Sequence, residues 1–178
     1  MAIGATIYAF EIELADADRD VYESLALRVA CHPSESDEYL VARVLAYTME
    51  YTEGIAFSRG VSEPDEPTIA VRDLTGATRV WIEIGSPDAA RLHKASKSAD
   101  RVAVYTHKDP DRLVQRLSGE RIHKAEAIEI YAFDRALISA LVARLDRRMA
   151  FSLSIAEREI CVSIGSDTIT GVVTCHTL

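Results

Sequence analysis

The chain has 178 residues, 48% of them hydrophobic and 27% charged, and a formal net charge of −8. That length supports one domain with a substantial core, and no apolar run approaches the ~20 residues that a membrane-spanning helix requires. The acid excess weighs against a protein that coats nucleic acid through Lys and Arg, while leaving room for a local basic groove or a metal site.

The opening Met1-Ala2-Ile3-Gly4-Ala5-Thr6 carries no basic cluster and no signal-peptide pattern, which points to the cytoplasm and to no membrane partner. Cys31, Cys161 and Cys175 are widely spaced and lack any zinc-ligand pattern, so they are expected as free thiols.

Tyr8, Phe10, Ile12 and Leu14 alternate with Ala9, Glu11 and Glu13, which predicts a half-buried strand. A polar turn over 16–20 follows, and 21–30 is expected as a helix. Pro33-Ser34 opens a second helix, with Ser34 as cap and Asp37 in the capping-box position. Leu40, Val41, Val44, Leu45 and Met49 form its apolar stripe, and Gly54 is its expected stop. Segments 68–72 and 77–84 are predicted strands around the turn Asp73-Leu74-Thr75-Gly76. Ser86-Pro87 opens a helix running to about Ser98. Residues 102–106 form a buried strand, 109–117 a helix and 126–133 a strand. Asp134 caps a further helix, and three strands close the chain near 149–155, 159–164 and 168–175. This order is α/β in the middle, with antiparallel strands added at both ends.

The hairpin is the informative feature. With its turn at 73–76, Glu66 faces Glu83; a turn one residue different would set Asp65 there instead. Directly opposed side chains share a face at ~5 Å, where like charges require a compensating cation. Two carboxylates at the open end of a buried hairpin suit Mg²⁺ or Mn²⁺, hard ions that take oxygen ligands. On the hairpin alone, however, a solvated acidic loop accounts for Glu63-Pro64-Asp65-Glu66-Pro67 better. Glu38 falls on the flank of its helix's apolar stripe, and serves either as a third inward acid or as a helix-entry charge favoured by the dipole.

Pro64-Asp65 followed by Glu83-Ile84-Gly85 at the end of an apolar strand resembles the motif of the PD-(D/E)XK nuclease superfamily. Longer words are similar to the YaeQ family: His32-Pro33-Ser34-Glu35, Phe57-Ser58-Arg59-Gly60, Asp65-Glu66-Pro67, Trp81-Ile82-Glu83-Ile84-Gly85 and Pro87-Asp88. Ala5-Thr6-Ile7-Tyr8 and the turn ending Asp18-Arg19 match too, so the resemblance covers most of the chain, most firmly up to about residue 106. The chain is identified as a member of that family of small bacterial proteins, for which the resemblance carries no established activity.

The resemblance implies a restriction-endonuclease-like core, a central mixed sheet flanked by helices, with additional antiparallel strands from both terminal segments. It implies Glu38, Asp65 (or Glu66) and Glu83 around a metal, with metal ligands drawn from Asp65, Glu66 and Glu83. Where the motif has lysine, this chain has Gly85, which offers no ammonium to the developing phosphorane charge. Lys94 and Lys97 on the next helix are candidates to replace it, against the alternative of a solvated helix face. The start of that helix, beside Gly85, is a candidate phosphate site through its free N–H groups. Arg59 is either a phosphate contact or a salt-bridge partner of the acidic loop.

Three functions compete. The first is Mg²⁺-dependent phosphodiester hydrolysis on DNA or RNA, with Lys94 assisting. The second is a noncatalytic module of the same fold that binds nucleic acid or a protein of the transcription machinery. The third is an interaction protein that uses the added antiparallel strands.

Overall fold

The computed structural model describes residues 4–58 and 65–178. Its elements begin with β1 (Thr6–Asp16), β2 (Val21–Cys31), α1 (Asp37–Met49), β3 (Ile55–Phe57), β4 (Ile69–Arg72), β5 (Thr78–Ile84) and α2 (Ala89–Ser98). They continue with β6 (Arg101–Thr106), α3 (Pro110–Leu117), β7 (Glu129–Phe133), α4 (Arg135–Val142), β8 (Arg148–Ala156), β9 (Glu159–Ile164) and β10 (Asp167–His176). The fold is mixed α/β, and no helix among the described residues is long and apolar enough to cross a membrane. The chain divides into two compact units, Met1–Val41 with Phe133–Val173, and Ala42–Ala132 with Thr174–Leu178.

In the first unit the strand order is β2-β1-β8-β9-β10. Phe10, Ile12 and Leu14 are buried while Glu11 and Glu13 are exposed, the alternation a one-sided sheet produces. The segment expected as a helix over 21–30 is instead β2. It pairs antiparallel with β1 along its whole length, from Thr6↔Cys31 to Asp16↔Val21. Leu25, Leu27, Val29 and Cys31 are buried and the residues between them exposed, so period-two burial overrides the helix propensity of Glu, Leu, Ala and Arg. The other edge of β1 is paired by β8, parallel to it from Ala9↔Arg148 to Asp16↔Ile155. Helix α4, capped by Asp134, lies on β10 at Gly171, where a Cβ would come 2.7 Å from the Leu137 Cβ. Only glycine permits that approach.

The turn between β8 and β9 is built from residues that disfavour it. Glu157 and Arg158 both adopt left-handed backbone, φ 51 and φ 60, the geometry of a hairpin turn usually made by Asn-Gly. The carboxylate of Asp18, from the β1–β2 turn, accepts both of their backbone N–H groups at 2.7 and 2.9 Å. A charged acceptor for two exposed amides offsets the conformational cost. Asp18→Ala is therefore expected to lower stability by about 1–3 kcal/mol in urea denaturation, and Asp18→Ala combined with Glu157→Asn and Arg158→Gly to recover most of that loss.

In the second unit the order is β7-β6-β5-β4-β3, with β5–β6 and β6–β7 parallel and β4–β5 and β3–β4 antiparallel. The strands expected at 68–72, 77–84 and 102–106 thus share one mixed sheet. Val102 to Thr106 is buried throughout, as a central parallel strand requires. Trp81, Val102, Val104 and Ile130 of the sheet pack with Leu92 and Ala95 of α2 and Leu113 and Leu117 of α3 in one core cluster.

Three boundaries differ from expectation. Helix α1 begins at Asp37, with Ser36 rather than Ser34 as cap: Ser36 Oγ accepts from Tyr39 N at 3.1 Å, while Ser34 Oγ bonds His32 Nδ1 at 2.7 Å. Helix α2 begins at Ala89, because Asp88 caps it by accepting from Arg91 N. Residues Ala125–Ala127 form a 3-10 turn, so β7 begins later than expected. Strand β3 was not anticipated; Tyr47 of α1 stacks on its Phe57 at 4.5 Å.

Candidate functional site

The β4–β5 loop fixes what faces what. Asp73 N–H donates to Ala77 O, so the loop takes in Ala77, and a bulge follows between Val71 and Arg72. The ladder then runs Val71↔Val80, Ala70↔Trp81, Ile69↔Ile82. One more step sets Thr68 opposite Glu83, and its hydroxyl donates to Glu83 Oε2 at 3.3 Å. The expected pairing of Glu66 or Asp65 with Glu83 is therefore corrected: the longer loop and the bulge slide both acids beyond the strand.

Glu83 sits at the end of a central strand, with 3% of its surface exposed. Oε1 accepts from Trp81 Nε1 at 2.6 Å and pairs with Arg91 Nε at 2.8 Å. Arg91 reaches it from the first turn of α2, lies over the Trp81 ring, and donates a further bond from Nη2 to Glu66 O at 2.7 Å. One guanidinium thus neutralises the buried acid, covers the indole and ties down the loop carrying Asp65 and Glu66. Three residues on, Lys94 bonds the exposed Asp65 carboxylate. That hydrogen bond and the ammonium charge hold the Asp65 carboxyl below its ordinary value. Arg91 and Lys94 lie on one helix face, as i, i+3 spacing dictates.

Gly85 follows β5 with φ +85, and its N–H donates to Tyr105 O at 2.9 Å. The position where the nuclease motif has lysine is here a left-handed backbone position that disfavours any side chain. The start of α2 does not present its N–H groups freely either, since the Asp88 carboxylate accepts from Arg91 N at 2.8 Å. A negative cap at that point opposes a phosphate there.

The remaining predicted residues are placed as follows. Glu38 is exposed in the first turn of α1, within the first unit, whereas Asp65, Glu66 and Glu83 belong to the second. Lys97 is exposed on α2. Arg59 and Pro64 lie outside the described residues. Among the described residues, no group of three or more His, Cys, Asp or Glu is arranged to hold a metal ion.

Sequence reasoning missed Arg91 as the partner of Glu83, although its spacing from Lys94 was a usable signal. It also missed a second buried cluster in the same unit. Arg101, at the start of β6, forks onto Glu50 at 2.7 and 3.0 Å and bonds Glu129 through Nε. Tyr105 donates to Glu50 at 2.6 Å and Tyr131 to Glu129 at 2.9 Å. Burial, then the neighbouring acids, push both phenols up, Tyr131 to about 12. One guanidinium is shared by two carboxylates there, and each acid also accepts from a tyrosine, which marks the cluster as structural.

The pair Arg91–Glu83 gives a direct test. Arg91→Met leaves a buried carboxylate without its cation and is expected to cost about 3–5 kcal/mol in chemical denaturation. Arg91→Met with Glu83→Gln removes both charges while keeping an acceptor for Trp81, and is expected to regain more than half of that.

A family model described as YaeQ protein matches residues 1–172. The protein named "Uncharacterized protein YaeQ" of Escherichia coli (strain K12) is 31% identical over 165 residues, covering 92% of this chain and 91% of its own. Its namesake in Salmonella typhi is 30% identical over 164 residues, with coverage of 92% and 91%. The crystal structure of the YaeQ protein from Xanthomonas axonopodis pv. citri matches with a TM-score of 0.87 at 29% identity, covering 97% of this chain and 98% of that one. That of the YaeQ protein from Pseudomonas syringae matches with a TM-score of 0.87 at 29% identity, covering 98% and 97%.

Proposed function

This chain belongs to the YaeQ family, and from that premise we propose that it is a noncatalytic nucleic-acid-binding module of the bacterial cytoplasm, on a restriction-endonuclease-like core of the PD-(D/E)XK kind. The observation that carries this is the pairing of both motif acids with protein cations: Glu83 with Arg91, Asp65 with Lys94. A hydrolase of this type needs its carboxylates free to share a divalent ion. Glu83 here already accepts from Trp81, Thr68 and Arg91, so releasing it toward Mg²⁺ or Mn²⁺ means breaking a buried ion pair. Gly85, at φ +85, supplies no lysine at the motif position. Lys97, exposed on α2 and in no ion pair among the described residues, remains suited to a phosphodiester backbone.

A second reading, metal-dependent phosphodiester hydrolysis, is favoured by one observation. Lys94 reaches Asp65, which puts an ammonium beside an acid of the motif as an assisting lysine would have to be. Asp65, Glu66 and Glu83 would then hold Mg²⁺ or Mn²⁺. Bound, the ion would supply Lewis acidity and a more acidic water, and Lys94 would orient and neutralise.

The two readings separate in one assay, in which purified protein meets labelled DNA and RNA with and without Mg²⁺ or Mn²⁺. Binding without cleavage is expected, with Glu83→Gln, which keeps an acceptor for Trp81 and Arg91, changing neither. Cleavage that is abolished by Glu83→Gln and falls ~10²–10³-fold in Lys94→Ala would establish the second reading instead. Absence of both binding and cleavage would end both.

A further inference from the structure

Charge along this chain is unevenly spread. Residues 91–124 hold nine Lys or Arg against four Asp or Glu, in a chain whose net charge is −8. The structure brings two of the segments that carry that excess together in the second unit. Ser96 of α2 donates from Oγ to His123 O at 2.6 Å, and His123 N–H donates to His93 Nδ1 at 3.1 Å. The His93 and His123 rings meet edge to face at 6.3 Å. These bonds pin the loop after α3 onto α2 at His123, which Lys124 follows and Arg121 precedes by two residues, and at Ser96, which Lys97 follows.

All three are exposed. Among the described residues, none of Lys97, Arg121 and Lys124 forms an ion pair, and the neighbouring Glu120 and Glu126 form none with them. Arg101, Arg79 and Arg91, by contrast, are each paired with an acid. Lys124 is also held in left-handed backbone, φ 48, where glycine or asparagine would sit without strain. Lys97 is one helical turn from Lys94, so this face is continuous with the Glu83–Asp65 cluster.

We infer that Lys97, Arg121 and Lys124 form the contact surface for the phosphodiester backbone of a nucleic acid. The inference rests on the nucleic-acid-binding reading above and specifies where that contact is made. Flexible Lys and Arg ends of this kind neutralise phosphates and fix register without reading bases, so the binding is sequence-independent and strongly salt-dependent.

The test is fluorescence anisotropy of the full chain with fluorescein-labelled 20-mers, one duplex DNA and one single-stranded RNA, across 25–200 mM salt, so that the two arms distinguish the source of the backbone. Wild type is expected to bind at least one. The triple variant K97Q/R121Q/K124Q is expected to weaken that binding by ~10-fold or more at the lowest salt and to flatten the log–log salt slope by about two to three units. The charge-matched control R28Q/R147Q/R148Q, on the first unit, is expected to keep the wild-type affinity. Lys124→Gly alone relieves the left-handed backbone, so it should leave Tm unchanged or raise it while weakening binding, which separates contact from folding. If wild type binds and the triple variant does so equally well, or if the control weakens binding as much, the surface is wrong while the binding reading stands. If wild type binds neither nucleic acid, the binding reading falls and the surface with it.

Discussion

Burying a carboxylate at the end of a central strand removes the water that would solvate it, and donors of the protein must replace that water. In this chain the replacement comes chiefly from Arg91, and much of the second unit is arranged around that contact. Helix α2 must start where it does for Arg91 to fall in its first turn, and Asp88 sets that start by capping. Strand β5 must end with Trp81 and Glu83 on the face toward α2, since the indole N–H and the guanidinium meet at one oxygen. The loop before β4 is held by the same guanidinium through Glu66 O. A single side chain therefore couples sheet, helix and loop, and the register of the β4–β5 hairpin brings Thr68 to the other oxygen of the acid.

That arrangement also explains the glycine after β5. The chain must leave the strand sharply enough for α2 to turn back over the sheet, yet the Gly85 N–H still joins the ladder through Tyr105 O. A left-handed residue satisfies both demands, and at φ +85 glycine is the residue that does so without strain. A lysine at this position would oppose its own backbone. Cations therefore come from the helix, where Arg91 and Lys94 follow from spacing alone, and each is paired with an acid of the loop or strand.

The legible part of the sequence was the part governed by local chemistry. Alternation in Phe10, Ile12 and Leu14, the apolar run 102–106 and the cap Asp134 each gave the element found. What failed depended on distant partners. Residues 21–30 contain Val21, Leu25 and Val29 at helical spacing as well as Leu25, Leu27 and Val29 at strand spacing, and only the ladder with β1 decides between them. The facing of Glu83 turned on a bulge that no residue type announces. Arg101 and Glu50 lie far apart in the chain, and the sequence offers no local cue that the two meet. The candidate acids Asp65 and Glu83 were visible as residues, but their pairing with cations was not, because it is a property of how α2 docks.

The two kinds of charge in the second unit behave differently toward solvent, and this bears on how an acidic protein could hold a polyanion. Arg101 with Glu50 and Glu129 is closed: its one guanidinium is held between two carboxylates and offers no cation to a phosphate. Lys97, Arg121 and Lys124 are open, since none of them forms an ion pair among the described residues. At physiological ionic strength the Debye length is about 8 Å, so acids elsewhere on the chain are largely screened from a phosphate docked on that face, while lysines in contact are not. The net charge of −8 then acts mainly at longer range and lower salt, where it opposes approach from other directions. An acidic average and a basic contact face are thus compatible, and together they favour one orientation of binding over nonspecific coating.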